Sequence, residues 1–332
     1  MITKIRNVKI FTPSELSSDQ YHSEKYNDFV SPSNLHLLFT ECPAALKYCE
    51  HEETAALNFG TASHSAMLEP KEFAKYFIKA VVKDDFTIKT DADIKAKLKA
   101  MGMTGYSTKK YPDLVIMLLS VDPSARIFSL ESWLQECECT SKGQTLVKNA
   151  PVKSPNGTER PGDYDMIMQM RSTLFANADN VELLTGAQVE MSFMCEIEID
   201  GAWHKVKIRP DIITKSGLVP DYKTTAFMSP DKFAKQAHDA GYWFKQAFIC
   251  DVLNAVYDRE HRAAILCQGK KSPHIYQMYN LTDEQLQIGR EQYMFALKQH
   301  KICNDSDVWP AYFDGPVDLP TPAWLAKQYN FS

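Results

Sequence analysis

The stretch from Val189 to Lys223 constrains this chain more than any other, because its turn residues and apolar alternation admit only closely spaced strands. Asp200-Gly201 separates Met191–Ile199 from Trp203–Ile208. An Asp-Gly pair readily supplies the two left-handed positions of a two-residue hairpin. Lys215-Ser216-Gly217 then separates Asp211–Thr214 from Leu218–Lys223, with the glycine available for a left-handed turn position. The pattern predicts a meander of about four strands.

Helical signals surround it. Residues 33–50 read as a helix with Ser33 as N-cap before Leu35, Leu38 and Phe39, and residues 61–80 as a second helix interrupted near Glu69-Pro70. Between 84 and 160 the pattern is mixed and Lys-rich, and the apolar run Val115–Leu119 has no clear period. Residues 163–184 read as a helix ending before Gly186. Ser229-Pro230-Asp231 places a cap, a first-turn proline and an acid at a helix start, and Gly241 marks its end. Phe244, Phe248 and Val252 have helical spacing in the next segment. Strands at about 262–268 and 274–280 flank Lys270-Lys271-Ser272-Pro273, and Thr282-Asp283-Glu284-Gln285 has the spacing of a capping box before a final long helix. This order implies an α/β domain with a mixed central sheet.

Composition sets outer bounds. The 332 residues suffice for one elaborated domain, and 44% hydrophobic with 24% charged residues is ordinary for a globular chain. No apolar run reaches membrane-spanning length, and Met1-Ile2-Thr3-Lys4 does not open a secretory signal, so the expected location is cytoplasmic. The eight cysteines are scattered with no CxxC pair; Cys137 and Cys139 form a lone CxC. That spacing disfavours a metal–thiolate cluster and fits reduced, space-filling thiols. A net charge of −5 means that any polyanion must meet basic residues concentrated on one face.

Chemistry concentrates in Arg209-Pro210-Asp211 and Pro220-Asp221-Tyr222-Lys223. Side chains alternate along a strand, so Asp221 and Lys223 share a face, and the intervening turn folds Asp211 back beside them. Two carboxylates there suit a hard cation such as Mg²⁺, and the lysine can orient water and offset phosphate charge. An isolated DxK is more often a solvated strand face. Here apolar flanks make the strand central, where an acid or a lysine needs a partner.

Distributed motifs then carry a resemblance to the exonuclease VIII (RecE) and YqaJ-like branch of the PD-(D/E)XK nucleases, relatives of lambda exonuclease. Ser31-Pro32-Ser33 with Cys42-Pro43-Ala44 resembles that family's opening helix. Asn58-Phe59-Gly60-Thr61-Ala62-Ser63-His64 with Leu68-Glu69-Pro70 is similar to its GTAxH…LEP motif. Glu190 stands where the family has an acid, Lys207-Ile208-Arg209-Pro210-Asp211 resembles KxRPD, and Asp221-Tyr222-Lys223-Thr224-Thr225 resembles DxKTT. Lys271-Ser272-Pro273, Trp309-Pro310-Ala311-Tyr312 and Leu319-Pro320…Trp324 are similar to its tail. One segment departs: the family's YxxQAAxY-like helix reads here Tyr242-Trp243-Phe244-Lys245-Gln246-Ala247-Phe248-Ile249, with Lys245 in the glutamine position.

The resemblance implies a restriction-endonuclease-like α/β core over residues 1–332. Its core runs from about 25 to 326, and residues 80–160 form an insertion of unassigned role. It implies an active site of His64, Glu190, Asp211, Asp221 and Lys223, in which Asp211, Asp221 and the Tyr222 carbonyl hold Mg²⁺ (or Mn²⁺ in its place), with Glu190 and His64 as further metal-site residues. Lys207, Arg209, Thr224, Tyr242, Lys245 and Gln246 become candidates for DNA contact. The implied activity is 5′→3′ resection of double-stranded DNA ends in a bacterial or phage-infected cell. The implied partners are a single-strand annealing protein and further copies of the chain in a ring lined by Lys205, Lys207, Lys232, Lys235 and Lys245. Alternatives on the same core are an endonuclease, a single-strand nuclease or an inactive DNA-binding scaffold.

Overall fold

A computed structural model describes residues 2, 4–49, 54–79, 88–128, 145–147, 152–153, 159–313 and 315–329. Cys137, Cys139 and much of the 80–160 segment lie outside these. The chain forms two compact units. The first comprises Met1–Glu52, Glu182–Cys267 and Tyr276–Ser332, and the second Glu53–Val181 and Gln268–Ile275.

In chain order the elements begin with β1 (Ile5–Phe11), α1 (Ser18–Tyr21), α2 (Pro32–Thr40), α3 (Pro43–Tyr48), α4 (Ala55–Leu68), α5 (Pro70–Tyr76) and β2 (Phe77–Lys79). They continue with α6 (Asp91–Ala100), α7 (Tyr111–Val121), β3 (Thr145–Val147), β4 (Val152–Lys153), β5 (Glu159–Arg160), α8 (Asp163–Phe175) and α9 (Ala178–Leu184). The meander follows as β6 (Gln188–Val189), β7 (Ser192–Ile199), β8 (Ala202–Ile208), β9 (Ile212–Ile213) and β10 (Leu218–Thr225). The chain closes with α10 (Pro230–Asp239), α11 (Tyr242–Tyr257), β11 (Arg262–Gly269), β12 (Tyr276–Asn280), α12 (Asp283–Ser306) and α13 (Ala323–Gln328).

In the first unit β1, β7 and β8 form an antiparallel sheet in which Ile199 pairs with Ala202 across the Asp200-Gly201 turn. Both turn residues have positive φ, 51° and 82°, as a type I′ hairpin requires. Period-two alternation sends Phe193, Cys195, Ile197 and Ile199 into the main core, where Val206 and Ile208 join them. Helices α2, α11 and α12 cover that face with Leu35, Leu38, Phe244, Phe248, Tyr293 and Leu297. A second sheet has the order β10-β11-β12, and β6 pairs antiparallel with β9. The architecture is α/β, with sheets flanked by helices, as the sequence predicts.

The crossing of α11 and α12 is fixed by two features that lie far apart in sequence. A Cβ at Gly289 would run into the Trp243 carbonyl, so glycine permits the close approach. Beside it Asp251, 1% exposed, accepts from Arg290 Nε at 2.8 Å, Arg290 Nη2 at 3.0 Å and the Tyr293 hydroxyl at 2.8 Å.

In the second unit Thr54 caps α4 by accepting from Leu57 N–H at 3.1 Å. Helices α6 and α7 bury Ile94, Leu98, Leu114 and Leu118 between them, and β2 pairs parallel with β3. Helix α8 buries Met166, Ile167, Met170 and Leu174.

Several boundaries differ from expectation. Ser31, not Ser33, caps α2, because Pro32 supplies the first helical φ and Ser31 Oγ reaches Asn34 N–H at 3.2 Å. The 33–50 helix is two helices, since Pro43 starts α3 afresh. The helix expected over 61–80 begins at Ala55 and breaks at Glu69. Val115–Leu119 lies inside α7, and the 163–184 helix is divided between α8 and α9. The described cysteines are unpaired and, apart from Cys49, buried, in keeping with space-filling thiols. Among the described residues no helix is long and apolar enough to cross a membrane.

Candidate active site

Strand β10 presents Asp221 and Lys223 on one face and sends the Tyr222 ring, 3% exposed, to the other. The Lys223 ammonium lies 2.7 Å from Asp221 Oδ1, 3.7 Å from Asp211 Oδ2 and 3.1 Å from the Tyr222 carbonyl to which it donates. Asp211 reaches this position because the chain reverses between β9 and β10. Thr214 N–H and Leu218 O close the turn at 2.9 Å, and Gly217 takes φ +79°. The Asp211 carboxylate then accepts the Tyr222 N–H at 2.8 Å.

Glu190 enters from the corner between β6 and β7. Its N–H donates to the Asp211 carbonyl at 3.2 Å, and the two residues offer carboxylate oxygens within 4.8 Å of each other. Its φ of +54° is left-handed, a conformation that costs a non-glycine residue about 1 kcal/mol. Strain of this kind persists where surroundings impose it, and it gathers at functional sites. On its other side Glu190 Oε2 is 2.9 Å from Arg209 Nε, both side chains being nearly buried.

The electrostatics follow from crowding acids in a poorly hydrated place. Burial and the neighbouring Asp211 charge push the Asp221 carboxyl up to about 6, with Lys223 opposing the rise. Burial disfavours the Lys223 charge, but Asp221 and Asp211 outweigh it and hold its pKa above the ordinary value. Lys245 moves the other way: burial lowers its pKa, and the Asp221 charge only partly compensates. Asp211, Asp221, Glu190 and the Tyr222 carbonyl offer hard oxygen donors, and a cation relieves the cost of crowding acids together in a buried place. The donor set therefore fits a divalent metal of the hard class.

The structure also places the remaining candidates. Thr224 is half-buried on β10. Tyr242 opens α11 with its ring 5.7 Å from the Lys223 ammonium, Lys245 donates to the Ala240 carbonyl at 3.1 Å, and Gln246 is 2% exposed. Lys205 is exposed and pairs with Asp28 at 3.3 Å, while Lys232 and Lys235 are exposed on α10. His64 sits half-buried on α4, in the second unit.

Lys207 and Arg209 depart from the surface role expected of them. Lys207 is 5% exposed, and its ammonium donates to the Tyr21 carbonyl at 2.9 Å and the Tyr26 carbonyl at 3.2 Å. Arg209 is turned onto Glu190 and the Tyr21 ring. A Lys-x-Arg alternating with Val206 and Ile208 reads as a solvated basic face, and what covers it is the Leu16–Tyr26 segment, far away in sequence. Sequence reasoning also missed Asp251, whose partners lie 39 and 42 residues away.

The fold matches the crystal structure of a "Putative exonuclease" from Eubacterium rectale with a TM-score of 0.52 and 14% identity, over 94% of this chain and 97% of that one. A second solved structure, SSO0001, aligns at a TM-score of 0.25 with 15% identity, over 76% of this chain and 95% of its own. No curated protein matches the sequence. The family model described as a PDDEXK-like domain of unknown function, DUF3799, matches residues 127–316, a span that contains Glu190, Asp211, Asp221 and Lys223. Since that span is more than half of the 332 residues, the chain belongs to this PDDEXK-like family.

Proposed function

We propose that the protein is a metal-dependent deoxyribonuclease that resects double-stranded DNA ends 5′→3′ with Mg²⁺. The observation that carries the hydrolytic reading is the convergence of Asp211 and Asp221 on Lys223, 3.7 and 2.7 Å from its ammonium, beside the Tyr222 carbonyl. Asp211, Asp221 and that carbonyl hold the cation, with Glu190 alongside and His64 added on the strength of the family resemblance. A cation held there would supply polarisation of the scissile phosphate and a lowered pKa for water. Lys223, kept charged by its two acids, orients the attacking water and offsets charge on the phosphate. The Tyr222 N–H fixes the Asp211 carboxylate, so the donors keep their places as substrate enters.

Duplex ends as substrate, polarity, a ring of subunits and an annealing partner for the exposed strand are proposed from the resemblance. A chain of net charge −5 repels DNA over much of its surface, so a ring would gather exposed lysines such as Lys205, Lys232 and Lys235 into one positive lining. Affinity would then fall steeply with salt. The test compares linear with covalently closed circular duplex in Mg²⁺, together with the mass of the protein in solution. Degradation of the linear form alone by an oligomer supports the proposal. A monomer that cuts closed circles equally well replaces it with the endonuclease alternative.

A further inference from the structure

We infer that Arg209 is a positioning residue for Glu190, one that sets the metal affinity of the site from behind rather than contacting DNA. The inference rests on the reading of Glu190 as a metal-site acid. An arginine that grips a polyanion must expose its fork, whereas the Arg209 side chain is 9% exposed and its Nε and Nη1 are sealed from solvent. Its Nε lies 2.9 Å from Glu190 Oε2, held by charge rather than by a well-aligned hydrogen bond.

Glu190 is thereby fixed twice. Its main chain is tied to Asp211 through the 3.2 Å N–H to carbonyl bond at a left-handed φ, and its side chain is tied to Arg209. Arg209 is itself backed by the N-terminal segment. Its Nη2 donates to the Leu16 carbonyl at 3.4 Å, and its guanidinium lies 5.5 Å from the Tyr21 ring centre. Lys207, two residues earlier near the end of β8, secures that segment through the carbonyls of Tyr21 and Tyr26. A buried ion pair contributes little net stability over apolar residues of the same volume, because both charges lose hydration. What this pair secures is the direction of a carboxylate beside Asp211. Partners that orient a metal-ligating group commonly change metal affinity about 10- to 100-fold when removed.

The experiment measures Mn²⁺ binding by calorimetry in the absence of DNA, so cleavage is not the readout. It uses the full chain as wild type, Arg209→Met, Arg209→Lys, Glu190→Gln and the Arg209→Met/Glu190→Gln double variant. Arg209→Met weakens Mn²⁺ binding about 10-fold or more. Arg209→Lys recovers part of that loss, since it keeps the charge without the planar fork. In the Glu190→Gln background Arg209→Met has no further effect, because its action runs through Glu190. Tyr21→Leu, which removes the ring against the guanidinium, weakens binding by a smaller factor and stands in if Arg209→Met fails to fold. Unchanged or tighter Mn²⁺ binding in a folded Arg209→Met or Tyr21→Leu protein overturns the inference, as does an equal Arg209→Met effect in the Glu190→Gln background. In those cases the metal-site reading survives. A wild type that binds no Mn²⁺ removes both.

Discussion

The N–H of Tyr222 donates to the Asp211 carboxylate over 2.8 Å, so the strand that carries Asp221 and Lys223 is pinned to the residue that faces them. A main-chain donor cannot rotate away as a side chain can. The Asp211 carboxylate is therefore held in place opposite Asp221 and Lys223, and taking up a cation requires little reorganisation of it.

Lys223→Ala is expected to lower turnover about 100-fold or more while leaving Mn²⁺ affinity within a few-fold of wild type, because the ammonium acts on water and phosphate. Lys223→Arg rescues poorly, since a planar fork does not replace a compact ammonium. Single-turnover cleavage alongside metal titration checks both. A fully active Lys223→Ala enzyme would reduce the DxK triplet to a strand face.

Stability without metal should depend on pH through Asp221. Its carboxyl is raised from an ordinary 3.8 to about 6, so the folded chain holds this proton more tightly than the unfolded chain does. Folding is favoured while the group is protonated, and that contribution is lost as pH rises from about 4 to about 6. Asp221→Asn carries no such titration. In EDTA, the difference in melting temperature between Asp221→Asn and wild type should move in the variant's favour across this window and level off above it. A difference that stays flat with pH contradicts the assignment.

The Asp251 cluster is structural, and its loss should be felt in stability alone. Asp251→Ala leaves Arg290 half-buried without its counter-charge, at a cost of about 3–5 kcal/mol. Tyr293→Phe removes one hydrogen bond to the same carboxylate and costs about 1–2 kcal/mol. Urea unfolding measures both. Equal, small effects would mean that the α11–α12 crossing is held by apolar packing and Gly289 alone.

What could be read in the sequence was local. Asp200-Gly201 announces its hairpin because few residue pairs accept two positive φ values, and Thr282 with Gln285 announces α12 through reciprocal capping. Asp221 and Lys223 share a face because strand geometry allows nothing else. Relationships fixed by tertiary burial were not legible. Lys207 and Arg209 look solvent-facing until the Leu16–Tyr26 segment closes over them, and Glu190 gives no hint of a left-handed backbone, because its cause lies at Asp211. Val115–Leu119 is apolar at every position, so periodicity could not separate helix from strand; packing against α6 decides it.

The central claim is that Asp211 and Asp221 together hold a hydrolytic cation. The most direct measurement is Mg²⁺-dependent release of nucleotides from linear duplex DNA by wild type, Asp211→Asn and Asp221→Asn proteins of matched fold. Wild type is expected to cleave in a way that EDTA abolishes, and each variant to lose about 100-fold or more, since metal charge stabilisation is worth several kcal/mol and each ~1.4 kcal/mol is tenfold in rate. Wild-type rates in either variant, or cleavage that persists in EDTA, would contradict that claim.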